Sequence, residues 1–207
     1  MTKNTLTIFL ISLTIFLALF SMYRITQPRV LSDEEMKVNG FLQYGNNQKI
    51  REFSLVDHNG NNFTNTNLKT NKINLIYFGY TSCPTECPVM MSVMKQVFTK
   101  IDTSQVAYYL ISIDPEIDTQ ERIKSYVTAF NNNFMGITGQ FSEITKLGYQ
   151  LGVEKLAPTL DHQNHRVITH TNHLIAVNDN GKILGVFRGP FDSSRMSLVI
   201  KSLLVVN

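Results

Sequence analysis

Hydrophobic and polar positions divide the chain into one long apolar segment followed by a region of mixed pattern. Residues 5–22, "TLTIFLISLTIFLALFSM", carry no charge and have the length of about 18 or more residues that a membrane-spanning helix needs. We expect an uncleaved transmembrane anchor over residues 5–23, after a short tail at residues 1–4, because a cleavable signal peptide has a shorter apolar core and small residues before its cut. Residues 24–45 are polar with little periodicity, which predicts a tether.

The pattern after the tether predicts one domain over residues 46–207. The stretch "REFSLVDHNGNNFT" alternates around an Asn-Gly pair, which indicates a β-hairpin. The continuous apolar runs "KINLIYFGY" and "VAYYLISID" predict strands that are buried on both faces. Each run is followed by helical spacing, from about Pro88 in the first case and from a cap at Asp118 or Thr119 in the second. This β-α-β-α order implies a parallel core.

The second half of the domain predicts two further helices and one more hairpin. Helical patterns cover residues 141–150 and 193–206. Two alternating strands joined by a turn lie in "HLIAVNDNGKILGVFRG", the pattern of an antiparallel hairpin. Residues 156–169 have no clear period, and we expect an exposed loop there. The whole order predicts an α/β protein with a thioredoxin-like fold and an N-terminal hairpin extension, preceded by one transmembrane helix.

Composition and charge narrow the classes of function. The 207 residues include 19 Lys+Arg and 16 Asp+Glu, giving a formal net charge of +3, and 43% of them are hydrophobic. The hydrophobic content is that of a globular domain, and the small, scattered positive charge does not fit a nucleic-acid surface. We therefore expect no nucleic-acid partner. The basic residues on the two sides of the apolar segment, Lys3 against Arg24 and Arg29, barely discriminate its orientation.

The two cysteines of the chain, Cys83 and Cys87, both lie in "YFGYTSCPTECPVMM", between a predicted buried strand and a predicted helix. A cysteine at a helix N-terminus has a lowered pKa and favours the thiolate, which is the form that binds metal. Three interpretations are open: a disulfide that stabilises the loop, thiol–disulfide exchange without metal, and metal binding with redox change of the same cysteines. Two thiolates suit Cu(I), and an added imidazole gives a site for Cu(I) or Cu(II), whereas zinc usually has a fourth protein ligand.

Four separated motifs occur in order along the chain: "YFGYTSCPTECP", "SIDPEIDTQERIKSYVTAF", "GITG" and a histidine eleven residues before the glycine of "NDNG". Together they resemble the Sco (SenC) family, thioredoxin-like copper-binding proteins of cytochrome oxidase assembly, and the match covers roughly residues 45–205. The resemblance implies copper ligands at Cys83, Cys87 and His170. The family often has an acidic residue just before the histidine and an aromatic residue a few positions earlier, where this chain has Thr169 and Arg166. An acidic partner would orient the imidazole, so these departures bear on copper affinity.

Further histidines and methionines are weaker candidates for copper ligands. A loop histidine is usually solvated, and strand alternation would turn His173 into the hairpin. The expected histidine ligand is His170, which the resemblance places by its distance to Gly181. The other histidines are His58, His162 and His165. Three methionines have the spacing of one helix face, which predicts packing in the core. They are Met90, Met91 and Met94.

Four residues near the cysteines are expected to shape or tune the pocket without binding metal. Asp114 ends a buried strand at the edge where the cysteines lie, and it fits an electrostatic role or a plain turn role equally well. The other three are expected to shape and shield the pocket. They are Phe78, Tyr80 and Glu86.

The anchor, the cysteine pair and the resemblance together predict a membrane-anchored copper metallochaperone. By resemblance, it delivers copper to, or reduces, the dinuclear copper site of cytochrome c oxidase subunit II, and it is not an enzyme in the usual sense. A copper donor protein and a thioredoxin-like reductant are the other expected partners. The alternatives are a thiol–disulfide oxidoreductase that uses Cys83 and Cys87 without metal, and a peroxidase on the same fold.

The expected location follows from the anchor and from what precedes it. No arginine-rich amphipathic presequence lies before the apolar segment. We therefore expect a single-pass protein of the bacterial inner membrane with its C-terminal domain in the periplasm. The alternative is the mitochondrial inner membrane, with the domain facing the intermembrane space.

Overall fold

The computed structural model describes residues 3–26, 29–45, 48–69, 72–154, 158–160 and 166–206. The chain divides into two compact units, Met1–Val30 and Leu31–Asn207. The α-helices are α1 (Lys3–Thr26), α2 (Asp33–Val38), α3 (Glu86–Phe98), α4 (Gln120–Phe130), α5 (Phe141–Gln150) and α6 (Ser193–Val206), and short 3₁₀ helices cover Asn65–Leu68 and Thr103–Gln105. The strands are β1 (Phe41–Gln43), β2 (Ser54–Asp57), β3 (Asn62–Thr64), β4 (Ile73–Gly79), β5 (Val106–Ser112), β6 (Phe134–Thr138), β7 (Pro158–Leu160), β8 (Arg166–Ile168), β9 (His173–Val177) and β10 (Ile183–Arg188).

The first unit is built on helix α1, which contains the apolar segment. Its stretch Thr5–Ile25 is 21 residues long and apolar enough to cross a membrane. The apolar side chains of this helix that the structure describes are exposed, as expected of a surface that lipid would cover. By length and composition, α1 is therefore a candidate membrane span.

The second unit is an eight-stranded mixed sheet with helices packed against it. The strand order is β1-β10-β9-β4-β5-β6-β2-β3. Strands β4, β5 and β6 are parallel, and the other pairs are antiparallel. All seven residues of β4 are buried, as the continuous apolar run predicts for a central strand. The α/β fold expected from the sequence is confirmed.

The parallel register brings two loops to the same edge of the sheet. Gly79 at the end of β4 pairs with Ser112 at the end of β5. The cysteines follow β4, and Asp114 and Asp118 follow β5. In open α/β sheets, the carboxyl ends of the strands are where functional residues gather. The sheet thus places the cysteine loop (residues 80–87) beside the loop after β5 that carries Asp114 and Asp118.

Most of the elements predicted after residue 50 are present. The two hairpins are β2–β3 and β9–β10, and α5 and α6 have the predicted bounds. Helix α3 begins at Glu86, two residues before the expected start, because Pro88 falls in the first turn, where a missing N–H costs no hydrogen bond. Thr119, one of the two proposed caps of α4, accepts a bond from the Arg122 N–H at 3.2 Å.

The tether predicted over residues 24–45 is wrong from Leu31 onward, and the domain begins there and not at residue 46. Ser32 caps α2 with a capping box. Strand β1 pairs with β10 at the edge of the sheet, where the fully buried Phe41 ring lies 4.8 Å from the Phe187 ring. A three-residue strand has too few positions to show a period, so its partner strand determines its structure.

The exposed loop predicted over residues 156–169 is wrong at Pro158–Leu160 and Arg166–Ile168, where the structure has strands, whereas Thr169 lies outside them and is exposed as predicted. Strands β7 and β8 pair in antiparallel orientation. Ile168, the last residue of β8, is 3% exposed and belongs to the core. These strands are also only three residues long, and packing against the domain stabilises them more than local propensity does.

Candidate metal centre

Cys83 lies in the turn between β4 and α3, and its sulfur takes the place of a helix cap. The Thr85 side chain, at the N-cap position, makes no cap hydrogen bond. Instead, the Cys87 N–H donates to Cys83 Sγ over 3.4 Å. The unpaired N–H groups of a helix N-terminus carry partial positive charge. The sulfur of Cys83 therefore sits where negative charge is favoured.

The two cysteines, both of them free thiols, have opposite acidities. A hydrogen bond from the Cys87 thiol lowers the pKa of Cys83 to about 5 despite partial burial, and bonds from the backbone N–H groups of Cys87, Thr85 and Glu86 add to this effect. The bond with Cys83 and burial raise the pKa of Cys87. At neutral pH the pair thus consists of one thiolate and one thiol that donates to it.

Cys87 is fully buried beneath Cys83 and is packed tightly against strand β4. A Cβ atom built on Gly79 would lie 3.0 Å from the Cys87 sulfur and 3.0 Å from the Tyr77 ring. That approach is closer than ordinary van der Waals contact, so a side chain at position 79 would have to displace the Cys87 sulfur or the Tyr77 ring by a few tenths of an ångström. The hydroxyl-bearing rings of Tyr77 and Tyr80 complete the surroundings, and burial raises the pKa of both phenols.

His170 lies across from the cysteines with one ring nitrogen already engaged. Nδ1 is 3.1 Å from the Thr171 carbonyl oxygen, and because a carbonyl only accepts, Nδ1 carries the proton and Nε2 keeps its lone pair. Burial lowers the pKa of His170, against the opposing effects of the Thr171 bond and of the Cys83 and Glu86 charges. The ring is therefore neutral at physiological pH, which is the state that binds metal.

One cavity of about 330 Å³ lies between the cysteine loop and the segment of residues 167–172, called here the histidine segment. Its lining includes Tyr80, Cys83, Glu86, His170 and Asn172. In the part of the chain that the structure describes, no three side chains of His, Cys, Asp or Glu form a closed metal-binding group. Cys83 and His170 thus share one cavity, and the buried Cys87 is bonded to Cys83, but among the described residues these three donors do not form a group that could hold a metal ion.

Asp118 anchors the start of the cysteine loop, a role that the sequence prediction did not identify. Its carboxylate is 1% exposed and accepts bonds from the Thr81 N–H at 2.9 Å, the Thr81 hydroxyl at 2.5 Å and the Ser112 hydroxyl at 2.7 Å. Arg122 covers this cluster, with Nε 2.7 Å from Thr81 Oγ1. The motif that follows β5 therefore fixes the residue two positions before Cys83.

The other histidines named from the sequence play no part in this cavity or lie outside the described residues. His173 begins β9 opposite Arg188, as alternation predicted. His58 Nδ1 accepts a bond from the Gly136 N–H at 3.1 Å, so it links the first hairpin to β6. His162 and His165 lie outside the described residues.

The remaining candidates divide between the core and the cavity. The three methionines of α3 are at most 1% exposed, which confirms core packing. They are Met90, Met91 and Met94. Phe78 is also in the core, whereas Tyr80 and Glu86 line the cavity. Asp114 is buried, and its N–H donates to Ser112 Oγ at 3.1 Å.

Comparisons with known proteins agree on one family. The sequence profile of the SCO1/SenC family matches residues 42–205. The chain is 34% identical over 152 residues to an SCO2-like protein of Rickettsia conorii, covering 70% of this chain and 72% of the relative.

Two solved structures are similar to this fold. Arabidopsis thaliana ScoI with copper bound has a TM-score of 0.68 and 25% identity, covering 74% of this chain and 96% of that one. Bradyrhizobium japonicum ScoI with copper bound has a TM-score of 0.63 and 28% identity, covering 75% and 97%.

Proposed function

The chain belongs to the SCO1/SenC family, and from this premise we propose that it is a membrane-anchored copper metallochaperone. One copper ion is bound by Cys83, Cys87 and His170, and α1 holds the protein at the membrane. The copper bound in the two ScoI structures supports the choice of metal. The ion is the cargo of the protein and not a catalytic cofactor.

The observation that carries this proposal is that Cys83 and His170 present two donors to the same cavity. Cys83 is already a thiolate at neutral pH because its pKa is about 5, and His170 keeps a lone pair on Nε2 because Nδ1 is bonded to Thr171. Two soft sulfurs and one imidazole fit copper in either oxidation state. The donor set therefore suits the metal, although the three side chains must draw together to bind it.

Each ligand has a distinct role in binding. Cys83 supplies the first sulfur without losing a proton at neutral pH. Cys87 holds its proton because its pKa is raised, and copper must displace that proton. His170 supplies the nitrogen, which stabilises Cu(II) more than Cu(I). Copper binding is therefore accompanied by release of about one proton, from Cys87.

The target of the copper is the dinuclear copper site of cytochrome c oxidase subunit II, which the protein either metallates or reduces. A separate protein donates the copper, and a thioredoxin-like protein keeps the cysteines reduced. The domain works in the periplasm, attached to the bacterial inner membrane by α1. An exported compartment is oxidising, so a reductant is needed there.

A thiol–disulfide oxidoreductase is the second candidate, and the contrast in acidity between the cysteines favours it. The half-buried thiolate of Cys83 can attack a target disulfide, and the buried Cys87 thiol can then resolve the mixed disulfide. In that reaction the Cys83 thiolate and the Cys87 thiol become one disulfide, two electrons and the Cys87 proton pass to the target, and solvent supplies the second proton of the reduced target. His170 has no role in such a step.

Copper titration of the reduced full-length protein in detergent tests the proposal. We expect one copper per chain in the wild type and loss of stoichiometric binding in Cys83→Ala and Cys87→Ala. Stoichiometric binding that survives either change would contradict the assigned ligands. Reduction of a protein disulfide by metal-free protein, unchanged in His170→Ala, would favour the oxidoreductase instead.

A further inference from the structure

Asn172 connects the histidine segment to the cysteine loop through both ends of its side-chain amide. Its Nδ2 donates to Glu86 Oε2 at 3.0 Å, and its Oδ1 accepts from the Tyr77 hydroxyl at 3.0 Å. Glu86 lies between the two cysteines in sequence and Tyr77 lies on β4. The bonds therefore join residues more than 80 positions apart in the chain, and they do so two residues after His170.

The other end of the histidine segment is attached to the same region. The Ile168 N–H lies 3.5 Å from the Tyr80 hydroxyl, three residues before Cys83. Within the segment, Thr171 Oγ1 accepts from the Glu154 N–H at 3.3 Å, and the Thr171 carbonyl accepts from His170 Nδ1. His170 is thus held between two attachment points, and the two bonds of Asn172 are shorter than the Ile168–Tyr80 bond.

An acidic side chain faces His170 from the cysteine loop and not from its own segment. Thr169, just before the histidine, is exposed and carries no charge. Glu86 lines the cavity with His170, and its negative charge raises the pKa of the imidazole, against the lowering by burial. A hydrogen-bonded carboxylate that orients a ligand through a neighbour has large effects on metal affinity in other proteins.

We propose that Glu86 and Asn172 are positioning residues that hold His170 over the cysteine pair and thereby favour binding of Cu(II). The inference rests on the proposed function, because it concerns the same copper site. Cu(I) is held by two thiolates even when the imidazole is misplaced, whereas Cu(II) needs the nitrogen donor. The Glu86–Asn172 bond therefore affects the relative affinity of the site for the two oxidation states.

Cu(II) and Cu(I) titrations of variants of the full chain in detergent test this role. We expect Glu86→Ala and Asn172→Ala each to lower the Cu(II) affinity by about 10- to 100-fold, with a much smaller loss for Cu(I). The double variant should lose less than the sum of the two single losses, because both changes remove the same Glu86–Asn172 bond, while Asn172→Ala also removes the bond from Tyr77. Glu86→Gln keeps an oxygen that accepts from Asn172 and should retain most of the affinity.

Glu121→Ala is the matched control. Glu121 is exposed in the first turn of α4, so it has the same charge as Glu86 and, like Glu86 in α3, lies in the first turn of a helix. We expect its copper affinities to equal those of the wild type. Equal losses for Glu86→Ala and Glu86→Gln, or additive losses in the double variant, would overturn the role of the bond.

Hydrogen exchange of the metal-free protein tests the positioning without copper. We expect backbone amides of residues 168–172 to exchange faster in Glu86→Ala and Asn172→Ala, and at the wild-type rate in Glu121→Ala. Unchanged exchange in the first two variants would overturn the inference. So would faster exchange with unchanged Cu(II) affinity. A wild type that binds no copper would instead refute the proposed function, and the exchange result would still test whether the two residues hold the segment.

Discussion

The backbone N–H of Cys87 donates to the sulfur of Cys83 over 3.4 Å, so one cysteine of the pair caps the helix that carries the other. This arrangement separates the acidities of two residues that lie in the same turn. The helix N-terminus stabilises the Cys83 thiolate, and the buried Cys87 thiol donates to it. Several measurable properties depend on that difference.

Alkylation of the reduced, metal-free protein should depend on pH through Cys83. The pKa of Cys83 is about 5, so its reaction rate should rise as the pH rises through about 5 and reach a plateau by neutral pH. Cys87 should react slowly throughout, because it is fully buried and its pKa is raised. Mass spectrometry of iodoacetamide-treated samples assigns the site. A midpoint near 8.5, the value of a free cysteine, would contradict the capping role.

The free energy of unfolding should also depend on pH because of Cys83. Its folded-state pKa of about 5 lies below the value of about 8.5 in an unfolded chain, so between these values the unfolded state binds one more proton. The free energy of unfolding should therefore rise with pH between about 5 and about 8. Below about pH 5 the stabilising contribution of Cys83 should be lost. Denaturant unfolding of the wild type and of Cys83→Ser measures this. A pH dependence that is the same in both would contradict it.

Replacing His170 should separate the two oxidation states of copper. We expect His170→Ala to lower the Cu(II) affinity by more than about 10-fold while the Cu(I) affinity changes little, since two sulfurs suit the soft ion. Competition titrations with chelators for each ion give the affinities. His173→Ala is the control, because His173 faces Arg188 on the hairpin. An equal loss in the control would contradict the assignment of His170.

Asp118→Ala should destabilise the domain and release the cysteine loop. The change leaves the Thr81 N–H, the Thr81 hydroxyl and the Ser112 hydroxyl without their acceptor. The Ser112 bond is buried and the two Thr81 bonds are part-buried, so at about 1 to 3 kcal/mol for one unsatisfied buried group we expect a loss of at least about 1 kcal/mol in the free energy of unfolding. Chemical denaturation measures it, with Glu121→Ala as an exposed control. A loss as small as that of the control would show that the cluster does not stabilise the fold.

Long apolar runs and alternating patterns were enough to predict the central strands, both hairpins and four helices of the domain. The short elements were missed for a physical reason. Strand β1 depends on its pairing with β10, and strands β7 and β8 depend on each other. None of these three-residue strands is long enough to show a period. Sequence patterns report local burial, and such elements depend on distant partners.

The candidate site also has one part that local patterns predict and another part that depends on residues distant in sequence. Spacing indicated that Cys83 and Cys87 lie at a helix start, because a helix N-terminus is a local feature. The bond of Asn172 to Glu86 spans 86 positions, and that of Thr81 to Asp118 spans 37. No local pattern marks such pairs. The bond of Tyr77 to Asn172 could not be predicted either. All seven residues of β4 are buried, so the pattern does not show which of them face the site.

The central claim is that copper is held by Cys83 and Cys87 and is therefore released when they form a disulfide. Copper content and free thiols, measured in the same samples of the full-length protein across a series of redox buffers, test it most directly. We predict that copper falls in step with the two thiols as the buffer becomes more oxidising and returns when the disulfide is reduced. Copper loading that stays constant while both thiols disappear would contradict the account.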